Sequence, residues 1–496
     1  MIEVAQDTRR QLGKNGKWLP NAVILLMAIV SGLLAPVMMT LIPEDRVALV
    51  TVALGSIAFL ITAIRFPVTL VFAVILYESL LSWREATQLR ILGYNRLLFY
   101  AVMVGSFSLA LFYTLVLRKR KIRMRWVDFA LSLYLVTNVC CALASVHREV
   151  ARPGLTYLLA SVLCLYTTRL VAYKDRHVHQ ILTFLLVFMV FEGLLGGIQY
   201  LMRWGVLYVA AESGGDFFAR ATGTLGNGLG WYLSVGYIII FNLWLYSSKR
   251  SNFWLYALAL GVIVIGLLAS NTRGSWVDCV IASLLSLIPA LRIQKRRVAL
   301  LLFTVGVSLV IILASGVFRE RIVSIWEQIR EPGRTTVGFR FYVWRAALNM
   351  FQDRLLVGVG QDNFKLLLPD YLDQKAKTFL RIGPDHSYNV HHAGLQILAE
   401  TGILGALTFV LFILAYLHEG LRLYQRLRIS DRGLAMAFWI FAMVSTLSIL
   451  YGGYAFGGYT QVGRLYFVMV GLTLAQADII RRGGMKERKN ESMCYL

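Results

Sequence analysis

The chain has 496 residues, 58% of them hydrophobic and only 16% charged, with a formal net charge of +23. That much apolar surface excludes a soluble globular protein, and apolar runs of roughly 17–25 residues exclude a β-barrel, whose mark is short alternating segments. The positive charge, which on a soluble protein would point to nucleic acid, is accounted for by the tendency of basic residues to stay on the cytoplasmic side of a membrane.

In chain order, residues 1–18 read as a polar cytoplasmic N-terminus. The first apolar run is too long for a cleaved leader, so it is retained as a helix. Fourteen candidate spans follow, near 19–42, 47–64, 67–83, 97–117, 127–145, 155–172, 181–202, 229–247, 253–270, 275–292, 298–318, 393–417, 434–452 and 463–480. The segment at 67–83 is the weakest, being short and carrying Glu78. The fold class is therefore all-α, a polytopic helical membrane protein with about 12–14 transmembrane helices. Residues 19–318 hold spans one to eleven, 319–391 form one large extracytoplasmic loop, 392–480 hold the last three spans, and 481–496 form a cytoplasmic tail. Within the loop, Ile322, Ile325, Trp326 and Ile329 recur at helical spacing, and Trp344–Phe351 reads the same way.

The charge pattern sets the orientation. With the N-terminus inside, the basic run from Arg118 to Arg125 falls inside. So do Lys249 and Arg250, the group at Arg292 and Lys295 to Arg297, the group at Arg422, Arg426, Arg428 and Arg432, and the tail. An error of one span would scramble this agreement. The five cysteines, Cys140, Cys141, Cys164, Cys279 and Cys494, form neither a disulfide framework nor a zinc pattern.

Arginines left outside need a reason. Arg220 precedes a span. Arg273 sits in a tight turn between two apolar helices. Arg334, Arg340 and Arg345 lie in the large loop, and Arg84, Arg90 and Arg96 in another outer connection. Arginine grips phosphate or carboxylate oxygens with a planar, two-pronged donor set at any relevant pH. For Arg84, Arg90 and Arg96 contact with lipid headgroups suffices. For Arg273, whose turn has little other polar load, a functional role is preferred.

His391 and His392 open the span at 393–417. At a helix N-terminus the charged form of a histidine is disfavoured, which would leave His391 neutral and able to accept a proton; the alternative is a solvated or capping histidine. Glu400, deep in the same span, is read as structural, holding a neighbouring helix or loop. Gly402 and Gly405 are expected to permit close helix approach. No carboxylate pair or cysteine stands at ligand spacing beside His386, His391 and His392, so no metal is expected.

These residues together resemble the bacterial O-antigen ligase and O-antigen polymerase superfamily. Its signature is a histidine, usually followed by asparagine, then leucine, glutamate and two glycines; His391, Leu395, Glu400, Gly402 and Gly405 fit the spacing. His392 stands where the family prefers asparagine, which leaves open which histidine acts. The stretch Gly338 to Leu348, with Arg340 four residues before Trp344, is similar to a second motif. Gly358, Gly360, Asn363 and Phe364 match a third, and Thr272-Arg273-Gly274 resembles a Ser-Arg-Gly turn. Arg220 to Gly223, followed by Asn227, resembles a Gly-Asn segment of the family.

The resemblance implies a metal-independent, inverting glycosyltransferase of cell-surface polysaccharide biosynthesis. It would need no cofactor and act at the outer face of a bacterial plasma (inner) membrane. The implied donor is an undecaprenyl-diphosphate-linked glycan and the acceptor a glycan or lipid. Membrane lipids and a chain-length-regulating membrane protein are further expected partners, and nucleic acid is not. Arg273 and Arg340 match the family's essential arginines and His391 its essential histidine. Arg220, Arg345 and His392 are expected to bind substrate, and Glu400, Gly402, Gly405, Gly358 and Gly360 to be structural. Polymerisation of repeat units is the preferred reading. The alternatives are ligation of finished polymer to a lipid A core and, less favoured, a flippase, which should show two similar halves that the sequence lacks.

Overall fold

The computed structural model describes residues 62–76, 96–203, 207–210, 217–299, 338–377, 390–427, 431–450 and 461–494, apart from a few single or paired positions. The expected spans at 19–42 and 298–318, most of that at 47–64, and Arg84, Arg90, Arg334 and His386 lie outside the described residues.

The long helices are α1 (Arg96–Phe112, continued as a π-helical turn to Leu117), α2 (Trp126–Leu143), α3 (Arg148–Val171), α4 (Asp175–Met202), α5 (Leu229–Tyr246), α6 (Arg250–Ala269) and α7 (Arg273–Ile293). Further along the chain come α8 (Gly338–Asp353), the short α9 (Asn363–Leu367), α10 (Ala393–Leu427), α11 (Arg432–Leu450) and α12 (Gln461–Cys494). Among the described residues nine helices are long and apolar enough to cross a membrane, and Val102–Leu117 is a shorter apolar helix. In a bilayer every backbone polar group must be satisfied internally, which is why these runs fold as helices. Among the described residues the strands are a two-stranded antiparallel ribbon, β1 (Leu207–Ala210) and β2 (Phe217–Arg220), in the connection before α5.

Helix α5 packs against α6, α7 and α11, α11 against α10, and α10 against α2 and α12; α3 packs on α12 and on α1. The core where α10, α11 and α12 meet is aromatic: Phe412, Tyr416, Phe441, Tyr466 and Phe467 are fully buried. Outward faces carry exposed Val280, Leu284 and Ile288 on α7, and Leu407, Val410 and Leu414 on α10. Apolar faces this continuous belong against lipid.

Consecutive helices alternate, so the bundle has two ends. At one, here the basic end, lie Arg125, Arg169, Glu419 and Asp478. At the other, the histidine end, lie the start of α5, the α6–α7 turn, the start of α10 and the end of α11. Helix α8, which sequence periodicity predicts at Trp344–Phe351, packs on α10 there.

Candidate functional site at the histidine end

Helix α10 is broken about two and a half turns below its start. Gly402 has φ +63° and ψ −164°, outside the helical region. The residues 355–360 enter the break. The N–H groups of Val359 and Gly360 donate to Ala399 and Glu400 carbonyls at 2.9 Å each, and Ile403 N–H donates to Leu355 O at 2.8 Å. Backbone bonds lost from the helix are thus replaced by bonds to an inserted strand-like segment, as apolar surroundings require. Gly358 (φ +65°) fits because a Cβ there would stand 2.5 Å from the Glu400 carbonyl carbon. At Gly402 a Cβ would collide with the Leu356 carbonyl oxygen. Gly402 therefore admits an inserted loop, not the neighbouring helix anticipated from the sequence, and a Cβ at Gly405 would meet the side chain of Thr401 on its own helix.

The far side of the inserted loop is held by the α2–α3 turn. Asn363 Nδ2 donates to Ser145 Oγ at 2.8 Å, Asn363 Oδ1 accepts from His147 N–H at 3.1 Å, and Val146 N–H donates to Val359 O at 3.1 Å. Gln361, fully buried, donates to Asn138 of α2. Glu400, 1% exposed, takes a bond from Gln396 at 3.3 Å and one from the Asp362 main chain. Burial pushes the Asp362 carboxyl above its usual range. This frame fixes the start of α10, and with it the two histidines.

His392 is the N-cap of α10. Its carbonyl accepts from Gln396 N–H at 2.9 Å, and its own Nδ1 accepts from Leu395 N–H at 3.3 Å. Asparagine is among the best residues for that task, so histidine here does with a ring nitrogen what asparagine does with a carbonyl oxygen. The His392 ring stands edge-on to Trp344, centroids 5.6 Å apart, and Trp344 Nε1 donates to Val390 O at 3.0 Å. Trp344 thus clamps both sides of His391.

His391 has φ +53°, a left-handed backbone rare for a residue with a side chain and often found where function sets the geometry. Burial, and then the positive charge of Arg340, push its pKa down to about 4. The ring is therefore neutral at pH 7. The causes are desolvation and a neighbouring guanidinium. Arg340 and Trp344 are four residues apart on one face of α8; Arg345 is exposed and points about 100° away from Trp344, so it is not brought to His391.

A second basic pair forms across the bundle end. Arg273 is the exposed first residue of α7, after a turn in which Asn271 has φ +49°. Arg220 Nη2 donates to Asn271 O at 3.4 Å, and burial together with the Arg273 charge lowers the pKa of Arg220. Helix α11 packs on both α7 and α10, and its Ile449 carbonyl lies 4.0 Å from a Cβ built on Gly394. The two basic pairs therefore flank one helix end.

Two buried residues of α4, absent from the sequence-derived set, hold the Arg220 segment. Gln199 Oε1 accepts from the N–H groups of Thr222 and Gly223 at 3.2 and 2.7 Å. Glu192 accepts from Thr224 N–H at 2.9 Å and from its hydroxyl at 2.5 Å. Glu192 and Gln199 stand two turns apart on one helix face, so a non-helical segment is satisfied at membrane depth by side chains. A carboxylate inside an otherwise apolar helix was the available signal. Asp278, fully buried in α7 below Arg273 and bonded by Ser448 Oγ at 3.4 Å, carries the same signal.

Residues 258–410 match the family model described as O-antigen ligase. This match supports the resemblance of the segment to the O-antigen ligase and polymerase superfamily. It runs from within α6 to within α10 and contains Arg273, Arg340, His391, the inserted loop and the break at Gly402. Arg220 and its supports on α4 lie upstream of it. No curated protein matches the chain. The family supports an enzyme of the ligase or polymerase type, in a multi-pass membrane protein.

Proposed function

We propose that the protein is a metal-independent inverting glycosyltransferase. It would polymerise undecaprenyl-diphosphate-linked oligosaccharide repeats at the outer face of a bacterial inner membrane. The basic end would face the cytoplasm and the histidine end the outside, as the positive-inside rule requires. The observations that support the reading are two guanidinium groups set side by side, Arg220 and Arg273, and a third, Arg340, beside the neutral ring of His391, within or beside the family segment.

An acceptor hydroxyl attacks the anomeric carbon from the face opposite the diphosphate. The new C–O bond forms as the sugar–phosphate bond breaks, and the diphosphate leaves with the bonding electrons. Arg273 and Arg340 hold the charge that develops on it, and Arg220 adds a third donor set. His391 receives the hydroxyl proton, a contribution typically of about 10²–10⁴-fold. His392 is committed to its helix cap, which leaves His391 as the base. Donor binding would also switch His391 on: a diphosphate on Arg340 cancels the charge that depresses the imidazole, raising its pKa and its basicity.

A second reading, ligation of finished polymer to a lipid A core, is favoured by the description of the matched family model. The intermediates that accumulate in a strain lacking the protein separate the two: single lipid-linked repeats for a polymerase, long lipid-linked polymer for a ligase. The family match lends nothing to a flippase. The test of the chemistry is His391→Ala in a cell-surface polymer assay. Polymer formation should fall by about 10²-fold or more. Full-length polymer from a stably expressed variant would remove His391 from the mechanism.

A further inference from the structure

At the basic end, far from the histidines, a cavity of about 280 Å³ lies between the start of α2, the last turns of α10 and the end of the apolar part of α12 (Gly463–Arg482). Its walls carry Arg422 and Arg426, one turn apart on α10, and Arg481 on α12. All three are exposed. Its floor is apolar, formed by Leu423, Ala477 and Ile480. Arg125 and Glu419 complete the lining, so four arginines stand against one carboxylate.

Those last two residues are already matched. Arg125 pairs with Glu419, and with Asp478 at 2.7 Å. Asp478 also takes Arg169 at 2.9 Å, and Arg169 takes Asp128 at 2.6 Å. Asp128 in turn accepts from Arg125 N–H at 2.6 Å and from Tyr166 at 2.9 Å. This buried network ties α2, α3, α10 and α12 together and fixes the cavity wall. Arg422 reaches Glu419 only at 3.9 Å, and among the described residues no ion pair engages Arg426 or Arg481. Three guanidinium groups therefore converge on a rigid, partly apolar hollow at the ends of membrane spans.

We propose that this cavity binds the phosphate group of an anionic phospholipid from the leaflet at the basic end. The guanidinium groups would hold the phosphate, and Leu423, Ala477 and Ile480 the glycerol and first acyl carbons. A water occupies about 30 Å³ of the liquid, so a headgroup fits the volume. Basic pockets between membrane helices suit such headgroups, and two-pronged donors suit phosphate oxygens. A soluble phosphate would use the arginines and leave the apolar floor uncovered, which is why the lipid is the assigned source. The site is independent of the chemistry at the other end.

The test uses the full-length protein in phosphatidylcholine nanodiscs, titrated with phosphatidylglycerol at low salt and read by native mass spectrometry. Each arginine near a membrane surface contributes about fivefold in affinity. The R422Q/R426Q/R481Q variant should therefore bind phosphatidylglycerol on the order of 100-fold more weakly. Unchanged affinity would overturn the proposal. Displacement of the lipid by equimolar inorganic phosphate or glycerol phosphate would overturn it too, by assigning the pocket to a soluble anion. In the wild-type protein a photoreactive phosphatidylglycerol should label peptides within 419–427 and 477–481, and labelling without that preference would count against the site.

Discussion

At the basic end, Arg125 and Arg169 each lie against two carboxylates, and Asp478 is shared between them. At the histidine end the charge facing Arg220 is that of Arg273, and the charge facing His391 is that of Arg340. The first arrangement holds helices together. The second sets guanidinium beside guanidinium, or beside a neutral imidazole, and gives no such attraction between helices. Sites that break a stabilising rule are where function is expected. The contrast is between arginines matched by carboxylates, which tie helices together, and arginines set beside each other or beside a neutral ring.

The largest effect should come from breaking the matched end. Arg169→Ala leaves Asp128 and Asp478 buried without one of their cations, and should cost about 3–5 kcal/mol, read as a drop in thermal unfolding midpoint. Arg273→Gln, at the other end, removes an exposed repelling charge and should change stability by no more than about 0.5 kcal/mol. Equal losses would erase the distinction between the ends.

Next is the frame beneath the histidines. Gly358→Ala forces a side chain into a left-handed backbone, worth about 1–2 kcal/mol on its own, and sets a Cβ against Glu400. The variant should lose activity and gain protease cleavage in 355–363. A variant with normal activity would show that the inserted loop does not position His391.

The smallest effect sharpens the electrostatics. With a depressed pKa, His391 is neutral above about pH 4 in the free protein and is lost as a base as pH falls below that. Bound diphosphate offsets Arg340 and moves that limit up. The acid limb of kcat/KM, which reports the free enzyme, should therefore lie below that of kcat, which reports the complex. Coincident limbs would break the link between Arg340 and His391.

Most of the fold was legible because a bilayer leaves the backbone few choices. Apolar runs became helices, and the basic clusters fell at one end. Arg273, Arg340 and His391 were legible as candidates, because charged or titratable residues beside apolar spans need a reason. The break in α10 was not. A glycine in an apolar helix is consistent with close packing or with interruption, and only the partner segment, some forty residues upstream, distinguishes them. The ribbon before α5 was missed because four-residue strands leave no period to read. The cap that His392 places on α10 was not legible, because sequence spacing does not reveal which way a ring nitrogen faces. Glu192 and Gln199 were overlooked inside a run so apolar that it read simply as a span.

The central claim is tested most directly by measuring how tightly the purified protein holds its lipid diphosphate donor when the histidine end loses its charges. In R273Q/R340Q the affinity should fall at least tenfold while the unfolding midpoint stays near that of the wild type. Donor affinity unchanged in a folded variant would contradict the assignment of this end to the diphosphate.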